Sequence, residues 1–376
     1  MTRGSEYRIL RQSRQFRAVR AEEGQALFGR YLAQPSLAGS TVLISELERK
    51  AYQIATTAEV QPQPPQPADA PAVTQNGRLT VVPPMNRPMT LDLRTHGYLE
   101  HHLVNGQPTQ PAAATFAAIF RILADAIHGY RPARLTECEF RHLIKVRRSK
   151  PQRLNLRVEP AIQGESLSCR LSLEGDVIHP SGTVLEKGRQ FFTGRIDFRA
   201  VDAVPDDAEM MRAMTRRSWR DAVRVDDPYI DAPAPICLGS SFACLSDLRI
   251  DGEDRRAGFA PSDEARARFQ SVGLGALLLD AMFRVGGIMP PGAYLVYPYF
   301  IPIQFGEVRV YAPFASVESA GPVTIVALGA TTKGNRLFFE RIVALAKDRS
   351  FVAELRKGRG VALVEQPEGK GALATI

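Results

Sequence analysis

Hydrophobic residues recur with helical spacing in one stretch of the chain and alternate with polar residues in the segments that follow it. Apolar side chains at positions 116, 119, 120, 123 and 127 share one helix face, and Gly129 is a typical C-terminal stop. Alternating segments at 138–146, 153–162, 167–175 and 189–201, separated by turn residues, predict an antiparallel meander. The pattern therefore predicts one long helix followed by a curled sheet.

A second stretch repeats this order of elements. Segments 241–252 and 256–260 have strand character, and residues 271–287 form an apolar helix that Gly286 and Gly287 end. Strands are predicted again at 293–304, 307–312, 322–330 and 336–345. Two units, each a helix with antiparallel strands, predict a two-lobed domain of the α+β class.

These patterns divide the chain into six segments. Two lobes are expected, at 87–204 and 227–346, and a charged connector at 205–226 joins them. A small N-terminal extension at 1–60 precedes a Pro-, Gln- and Ala-rich linker at 61–86, whose composition cannot bury enough apolar surface to order itself. Residues 347–376 are expected to form a C-terminal tail.

The composition is that of a globular protein with a basic surface. The chain is 44% hydrophobic, and its net charge of +8 favours an acidic partner. It has no nucleic-acid-binding motif, no apolar run at its start and no apolar stretch long enough to span a bilayer, so we expect a cytoplasmic protein without nucleic-acid or membrane partners. Cys138, Cys169, Cys237 and Cys244 form no CxxC pair and no metal-ligand spacing, which predicts reduced thiols and no metal.

Two polar residues stand out, one in each expected lobe. His102 opens a His-x3-Gly-x4-Pro motif with Gly106 and Pro111, directly before the first predicted helix. Asp280 lies inside the apolar run of the second predicted helix. Because an unpaired carboxylate is costly to bury, Asp280 needs either a function or a salt bridge to Arg284, which lies four residues later on the same helix face.

Four segments around these residues carry a resemblance to a known family. Residues 98–116 resemble the segment with the catalytic histidine in the dehydratase domains of polyketide synthases and animal-type fatty acid synthases, and residues 277–284 resemble the helix with the catalytic aspartate. Residues 236–253 and 297–312 resemble the entry to the second lobe and the strands after its helix. The resemblance spans residues 87–346 and implies a double hot-dog fold, in which two long helices are each wrapped by a curved antiparallel sheet.

The resemblance also implies a reaction, the removal of water from a 3-hydroxyacyl thioester to give an enoyl thioester. His102 is implied as the base that takes the C2 proton, as a neutral imidazole can near neutral pH, and Asp280 as the acid that protonates the leaving hydroxyl. Burial on an apolar helix favours the neutral carboxylic acid that this role needs. Gly106, Gly239 and the helix N-terminus after Pro111 are expected to stabilise the thioester oxygen. No cofactor is implied, because the phosphopantetheine of a carrier protein holds the substrate.

Several positions depart from the family pattern. Arg284 stands where the family has Gln or His, and His101 stands where it has the Asp before the catalytic histidine. The tyrosines and the proline expected beside Gly239 and Phe242 are replaced, by Ile236, Leu238 and Ser240. We expect Arg284 to bind the substrate or its pantetheine arm; it could instead point away from Asp280, or the site could perform different chemistry.

Basic patches are candidates for docking an acidic acyl carrier protein. They contain Arg147 and Arg148 in the first lobe and Arg216 and Arg217 in the connector. The expected partners are an acyl carrier protein and other polyketide synthase domains, and homodimerisation is left open. The extension at 1–60 is faintly similar to the C-terminal end of the ketoreductase domains of the same synthases.

Two other functions remain open on the sequence. A product-template-like cyclase also uses a His/Asp pair, but it folds a poly-β-keto chain toward an aromatic ring. A catalytically silent module that only binds carrier or partner domains is favoured by the missing tyrosines and by Arg284. For a dehydratase, the imidazole of His102 and the carboxyl group of Asp280 should face one another across an apolar tunnel.

Overall fold

The structure is a computed structural model that describes most of the chain between residues 73 and 363. The described residues are 73–75, 78–81, 84–126, 130–148, 150–163, 166–178, 183–200, 218–231, 235–289, 299–311, 317, 321–348 and 350–363. All of them belong to one compact unit, Ala68–Ile376. The expected extension at 1–60 and the predicted helix stop at Gly129 lie outside the described residues.

Two helices of similar length form the centre of this unit. Helix α1 is Ala112–Ala126, and its first turn closes with a hydrogen bond from the Thr115 amide to the Pro111 carbonyl. The short helix α2 is Asp263–Arg268, and helix α3 is Leu274–Gly287. Helices α1 and α3 lie where the apolar periodicity predicts them, and they contact each other.

The other elements are strands and two short 3₁₀ helices. The strands are β1 Val73–Gln75, β2 Arg78–Val81, β3 Met85–Leu91, β4 His102–Val104, β5 Gln107–Pro108, β6 Tyr130–Phe140, β7 Gln152–Gln163, β8 Ser166–Ile178, β9 Val184–Ala200, β10 Val223–Arg224, β11 Ile236–Leu238, β12 Leu245–Asp251, β13 Asp254–Phe259, β14 Phe300–Val310, β15 Val323–Leu328, β16 Thr331–Lys333, β17 Arg336–Leu345 and β18 Phe351–Ala362. The 3₁₀ helices are Gly97–His101 and Ser240–Phe242.

One antiparallel sheet runs through both lobes. Its strand order is β10-β12-β13-β15-β17-β18-β14-β6-β9-β8-β7-β3, with β16 paired to β17. Strand β6 of the first lobe pairs with β14 of the second, with Leu135 opposite Val308, so the lobes share a continuous ladder. The architecture is therefore mostly antiparallel sheet with few helices, in agreement with the α+β prediction.

Aromatic side chains pack where the two helices meet the sheet. The ring of Phe305 on β14 lies 5.3 Å from that of Phe116 on α1 and 5.9 Å from that of Phe283 on α3, edge-on in both cases. All three side chains are buried. Edge-to-face contacts of this kind add to the apolar burial that holds the helices against the strands.

A small sheet of order β11-β4-β5 links the lobes a second time. Strand β4 pairs antiparallel with β11, and His102 lies opposite Leu238. Asn105 and Gly106 connect β4 to β5 with φ values of 49° and 70°, as a type I′ hairpin turn requires. The hairpin and its pairing with β11 hold His102 between the two lobes.

Several predicted boundaries are corrected. The expected linker at 61–86 contains β1 and β2 and the start of β3, and the expected strand at 138–146 ends at Phe140. The segments 293–304 and 307–312 are one strand, β14, where they are described, and the connector at 205–226 contributes β10 to the sheet. The expected tail at 347–376 contains β18, which lies between β17 and β14, so the second lobe extends to at least Ala362. In the described part of the chain, no helix is long and apolar enough to cross a membrane.

Candidate active site

The imidazole of His102 is held by one short hydrogen bond. Its Nδ1 lies 2.7 Å from the carbonyl oxygen of Thr109, and the Thr109 amide donates in return to the His102 carbonyl at 3.0 Å. Because a carbonyl can only accept, Nδ1 carries the proton. In the neutral ring, Nε2 then keeps its lone pair, which is the arrangement that a general base needs.

The surroundings of His102 favour its neutral form. Burial lowers the pKa of His102 below its usual value, and the carboxylate of Asp280 and the Thr109 carbonyl offset this only in part. The ring of Phe242 packs against the imidazole with a centroid distance of 5.6 Å. His102 is therefore ready to accept a proton at neutral pH.

His102 and Asp280 line the same pocket. Most of the remaining wall is apolar, and it draws on both lobes. It includes Val104, Phe116, Leu143, Ile236, Phe283 and Ile301. The cavity volume of the pocket is about 70 Å³. The two residues that the sequence singled out thus converge at one apolar cavity, as expected for a pair that acts on one substrate.

Asp280 is placed on this cavity by an otherwise buried helix. All other residues of α3 are buried, whereas the Asp280 side chain keeps 14% of its surface exposed. Its Oδ2 accepts a hydrogen bond of 2.9 Å from Nε of Arg284. The salt bridge considered from the sequence is therefore present, and it forms on the pocket wall.

Arg284 is a buried side chain that binds groups from three parts of the second lobe. Only 3% of its side-chain surface is exposed. Besides Asp280, it pairs with Asp227, and it donates to the Phe242 carbonyl at 2.8 Å. Burial would lower the pKa of Arg284, but the carboxylates of Asp227 and Asp280 raise it above its usual value. The guanidinium is thus a fixed cation.

These contacts narrow the role expected of Arg284. The possibility that it points away from Asp280 is excluded by the ion pair. Although Arg284 lines the pocket, each of its three nitrogens donates to a protein group. The side chain is therefore engaged in holding Asp280 and Phe242 in place, and the expected contact with substrate or pantetheine stays a prediction.

The two motif glycines, Gly106 and Gly239, are needed for the local backbone conformation and packing, and neither is part of the described pocket wall. Gly106 is exposed in the hairpin turn, and it is not part of the described pocket wall, so its expected oxyanion role has no support from the pocket and stays a prediction. Gly239 is also absent from that wall. A Cβ at Gly239 would lie 2.7 Å from Cγ of His101, so glycine is needed for a close approach to that ring. Pro111 does line the pocket, just before α1.

His101 joins the two 3₁₀ helices beside the site. Its Nδ1 lies 3.0 Å from Oγ of Ser241 and accepts from the Ser241 amide at 3.3 Å. Burial lowers the pKa of His101, and the nearby Arg268 lowers it further, although Glu264 acts in the opposite direction. The histidine at this unusual position is therefore a neutral bridge to the segment that carries Phe242.

The carrier-docking residues stay predictions. Arg148 is exposed and Arg147 is half-buried, whereas Arg216 and Arg217 lie outside the described residues.

The four cysteines are free thiols, three of them buried. Burial raises the pKa of Cys244 to about 12, so a neutral thiol lies 3.3 Å from Arg284. Across the described ranges, no three His, Cys, Asp or Glu side chains are grouped as a metal site.

Three residues that support His102 and Asp280 were not predicted as site residues from the sequence. Thr109 orients His102, Phe242 contacts both the imidazole and Arg284, and Asp227 shares the guanidinium with Asp280. Thr109 lies inside the His-x3-Gly-x4-Pro motif, so its position was a usable signal. Asp227 stands in an acidic stretch and had no such signal, beyond the general need of a buried arginine for counter-charge.

Comparisons with known proteins show a family and a fold that this chain resembles. A family model described as the polyketide synthase dehydratase domain matches residues 88–172, which include His102 and α1. A dehydratase domain of a trans-AT polyketide synthase from Brevibacillus brevis superposes with a TM-score of 0.59 at 14% identity, covering 74% of this chain and 94% of that chain. No curated protein matches the sequence.

Two further solved structures are inactive mutants of the CurK dehydratase. One has aspartate replaced by asparagine, with a TM-score of 0.58, 13% identity and coverage of 78% of this chain and 97% of that chain. The other has histidine replaced by phenylalanine, with a TM-score of 0.57, 14% identity and coverage of 78% and 95%. At these identities the likeness shows the fold. The resemblance to polyketide synthase dehydratase domains is confirmed, and the mostly antiparallel sheet with few helices matches the hot-dog structures of those domains.

Proposed function

We propose that this protein is a polyketide synthase type dehydratase, a carbon–oxygen lyase that converts a carrier-bound 3-hydroxyacyl thioester to an enoyl thioester and water. The observation that carries the proposal is the convergence of His102 and Asp280, from different lobes, on one apolar pocket. A base and an acid on the wall of one cavity can act on neighbouring carbons of a single acyl chain.

In the first part of the reaction, Nε2 of His102 takes the proton from C2. The C2–H bond breaks, and its electron pair forms the double bond between C2 and C3. The Thr109 carbonyl supports this step, because it fixes the Nδ1–H tautomer and stabilises the imidazolium that forms. The lowered pKa of His102 keeps the ring unprotonated before the step.

In the second part, the C3–O bond breaks and its electron pair leaves with the oxygen. A proton from the carboxyl group of Asp280 completes the water molecule, so Asp280 ends as a carboxylate that Arg284 pairs. Return of the proton from His102 to Asp280 restores the starting state. No oxidant, reductant or cofactor is needed for this balance.

The N-terminus of α1 is suited to stabilise the thioester oxygen. Pro111, Ala112 and Ala113 line the pocket at the point where the first amides of a helix have no intrahelical acceptor. Such amides, together with the helix dipole, stabilise the negative charge that develops on the oxygen. We place the oxyanion site here, and not at Gly106.

The CurK structures support the assignment of the two groups. Loss of an aspartate and loss of a histidine are each described as inactivating in that dehydratase. We propose His102 and Asp280 as the counterparts in this chain. By the same analogy, we propose an acyl carrier protein and other polyketide synthase domains as cytoplasmic partners, with docking at Arg147, Arg148, Arg216 and Arg217.

The test uses the full-length protein and measures the mass of its carrier-bound substrate. The protein is incubated with a 3-hydroxyacyl chain on the phosphopantetheine of an acyl carrier protein, and the carrier conjugate is weighed over time. A dehydratase removes the mass of one water from this conjugate. Loss of water only from a poly-β-keto conjugate would favour the cyclase, and binding of both conjugates without conversion would favour the silent module; either result would overturn the proposal.

A further inference from the structure

The guanidinium of Arg284 lies between two carboxylates that differ in their access to the pocket. Asp280 lines the pocket together with Arg284, whereas Asp227 is not among the described residues of its wall. The side chains are nonetheless buried to a similar degree, with 14% of Asp280 and 10% of Asp227 exposed. Asp227 therefore belongs to the same charge cluster but is not part of the described pocket wall.

Every polar atom of this cluster except one has a defined partner among the described residues. Arg284 donates through Nε to Oδ2 of Asp280 and through a terminal nitrogen to Oδ2 of Asp227. The other oxygen of Asp227, Oδ1, accepts from the Tyr229 amide at 3.1 Å. Oδ1 of Asp280 has no hydrogen-bond partner among the described residues. The free oxygen of the cluster thus belongs to the carboxyl group on the pocket.

Charge balance and hydrogen bonding distinguish the two carboxyl groups. With both ionised, the cluster has a net charge of −1; with one proton added, it is neutral, and a buried neutral cluster costs less than a charged one. Both oxygens of Asp227 accept hydrogen bonds, whereas Asp280 keeps one oxygen without a partner among the described residues, so Asp280 is the carboxyl group with room for the proton that the proposed reaction donates. Without Asp227, protonation of Asp280 would leave Arg284 as a buried cation with no counter-charge.

We propose that Asp227 is a positioning residue that neutralises Arg284 and thereby allows Asp280 to act as a proton donor. This inference rests on the proposed dehydratase function. It explains how an arginine can stand four residues after the acid without abolishing acid catalysis. It also gives the first residue of the second lobe, directly after the connector, a part in the chemistry.

The test separates proton donation from structural effects by changing the leaving group. A 3-hydroxyacyl thioester needs a proton on its leaving oxygen, whereas a 3-chloroacyl thioester of the same chain length releases chloride without one. Both need His102 to take the C2 proton. The ratio of the two elimination rates therefore reports the acid, and it cancels any loss of folded protein.

The variants are Asp227→Asn, the double variant Asp227→Asn/Arg284→Gln, and Asp226→Asn as a matched control on the exposed neighbouring carboxylate. We expect Asp227→Asn to lower the hydroxyl-to-chloride rate ratio by about 10²-fold, the lower end of a general-acid contribution. The double variant, which has no buried cation, should recover most of the ratio, and Asp226→Asn should leave it unchanged.

Three results are distinguishable. The inference about Asp227 is overturned if Asp227→Asn leaves the hydroxyl-to-chloride rate ratio unchanged. It is also overturned if the double variant lowers this ratio as much as Asp227→Asn does. Both results leave the dehydratase proposal intact. A parallel loss of both rates assigns Asp227 a purely structural role and also overturns it. Failure of the wild-type protein to eliminate from either substrate would overturn the proposed function itself.

Discussion

Replacement of Arg284 by methionine should destabilise the protein strongly. The change removes a side chain that is 3% exposed and that pairs with Asp280 and Asp227 and donates to the Phe242 carbonyl. Methionine fills much of the same volume, so the main loss is electrostatic. Removal of one partner from a buried ion pair costs about 3–5 kcal/mol, because it leaves the other charge without compensation.

This loss can be measured as a shift in thermal unfolding. At about 2–4 °C per kcal/mol for a domain of this size, the expected decrease in Tm is roughly 6–20 °C. The matched control is the triple variant Arg284→Met/Asp227→Asn/Asp280→Asn, which removes the two stranded carboxylates as well. We expect the triple variant to be more stable than Arg284→Met. If both unfold at the same temperature, the loss comes from packing, and the reasoning from stranded charge is refuted.

Three further outcomes follow from single contacts. Gly239→Ala forces its Cβ to 2.7 Å from the His101 ring, and we expect a loss of about 1–3 kcal/mol in urea unfolding; a neutral effect would show that the ring can move freely. In Gly106→Ala, the added Cβ meets no atom within 4 Å, but the residue must keep a φ of +70°. We therefore expect a loss of about 1–2 kcal/mol in the free energy of unfolding, from backbone strain alone. A dehydration rate that falls by more than the loss of folded protein would instead assign Gly106 a role in the site. Burial lowers the pKa of His102 from its usual 6.5, so the rate, measured as kcat/KM, should fall only below pH 6.5 as the base takes up a proton; an acidic limb centred above pH 6.5 would contradict this environment.

The parts of the fold that the sequence predicts are those set by local periodicity. Helices α1 and α3 and the strands β7, β8 and β9 lie where apolar spacing and alternation place them. These elements bury one face or nearly all of their residues, so their pattern is strong over a dozen positions. The helix–strand order of each lobe could therefore be read without knowledge of the pairing between strands.

Strand β18 shows what local patterns leave out. Its second half contains Lys357, Gly358 and Gly360 among basic residues, a composition typical of a loop or a tail. In the structure, a Cβ at Gly358 would collide with the ring of Phe339 on the neighbouring strand β17. The glycine is required by a contact with a distant residue, and such a requirement is invisible along the chain.

The active-site pair was predictable for a different reason from its supporting residues. His102 was conspicuous because it opens the His-x3-Gly-x4-Pro motif, and Asp280 because it is a carboxylate inside an apolar run. Asp227 and Phe242 are bound to Arg284 across separations of 57 and 42 positions, and Phe242 also contacts the imidazole of His102. Their roles depend on how the start of the second lobe and the second 3₁₀ helix fold onto α3, which no spacing in the sequence encodes.

The central claim is that His102 and Asp280 work as base and acid on one acyl chain. The most direct test is the rate of water loss from a 3-hydroxyacyl carrier conjugate, measured for the wild type, His102→Ala, Asp280→Asn and the double variant, with thermal unfolding as the control for folding. We expect each single variant to lose at least about 10²-fold in rate, and the double variant to lose much less than the product of the two. Dehydration at the wild-type rate by either folded single variant would contradict the claim.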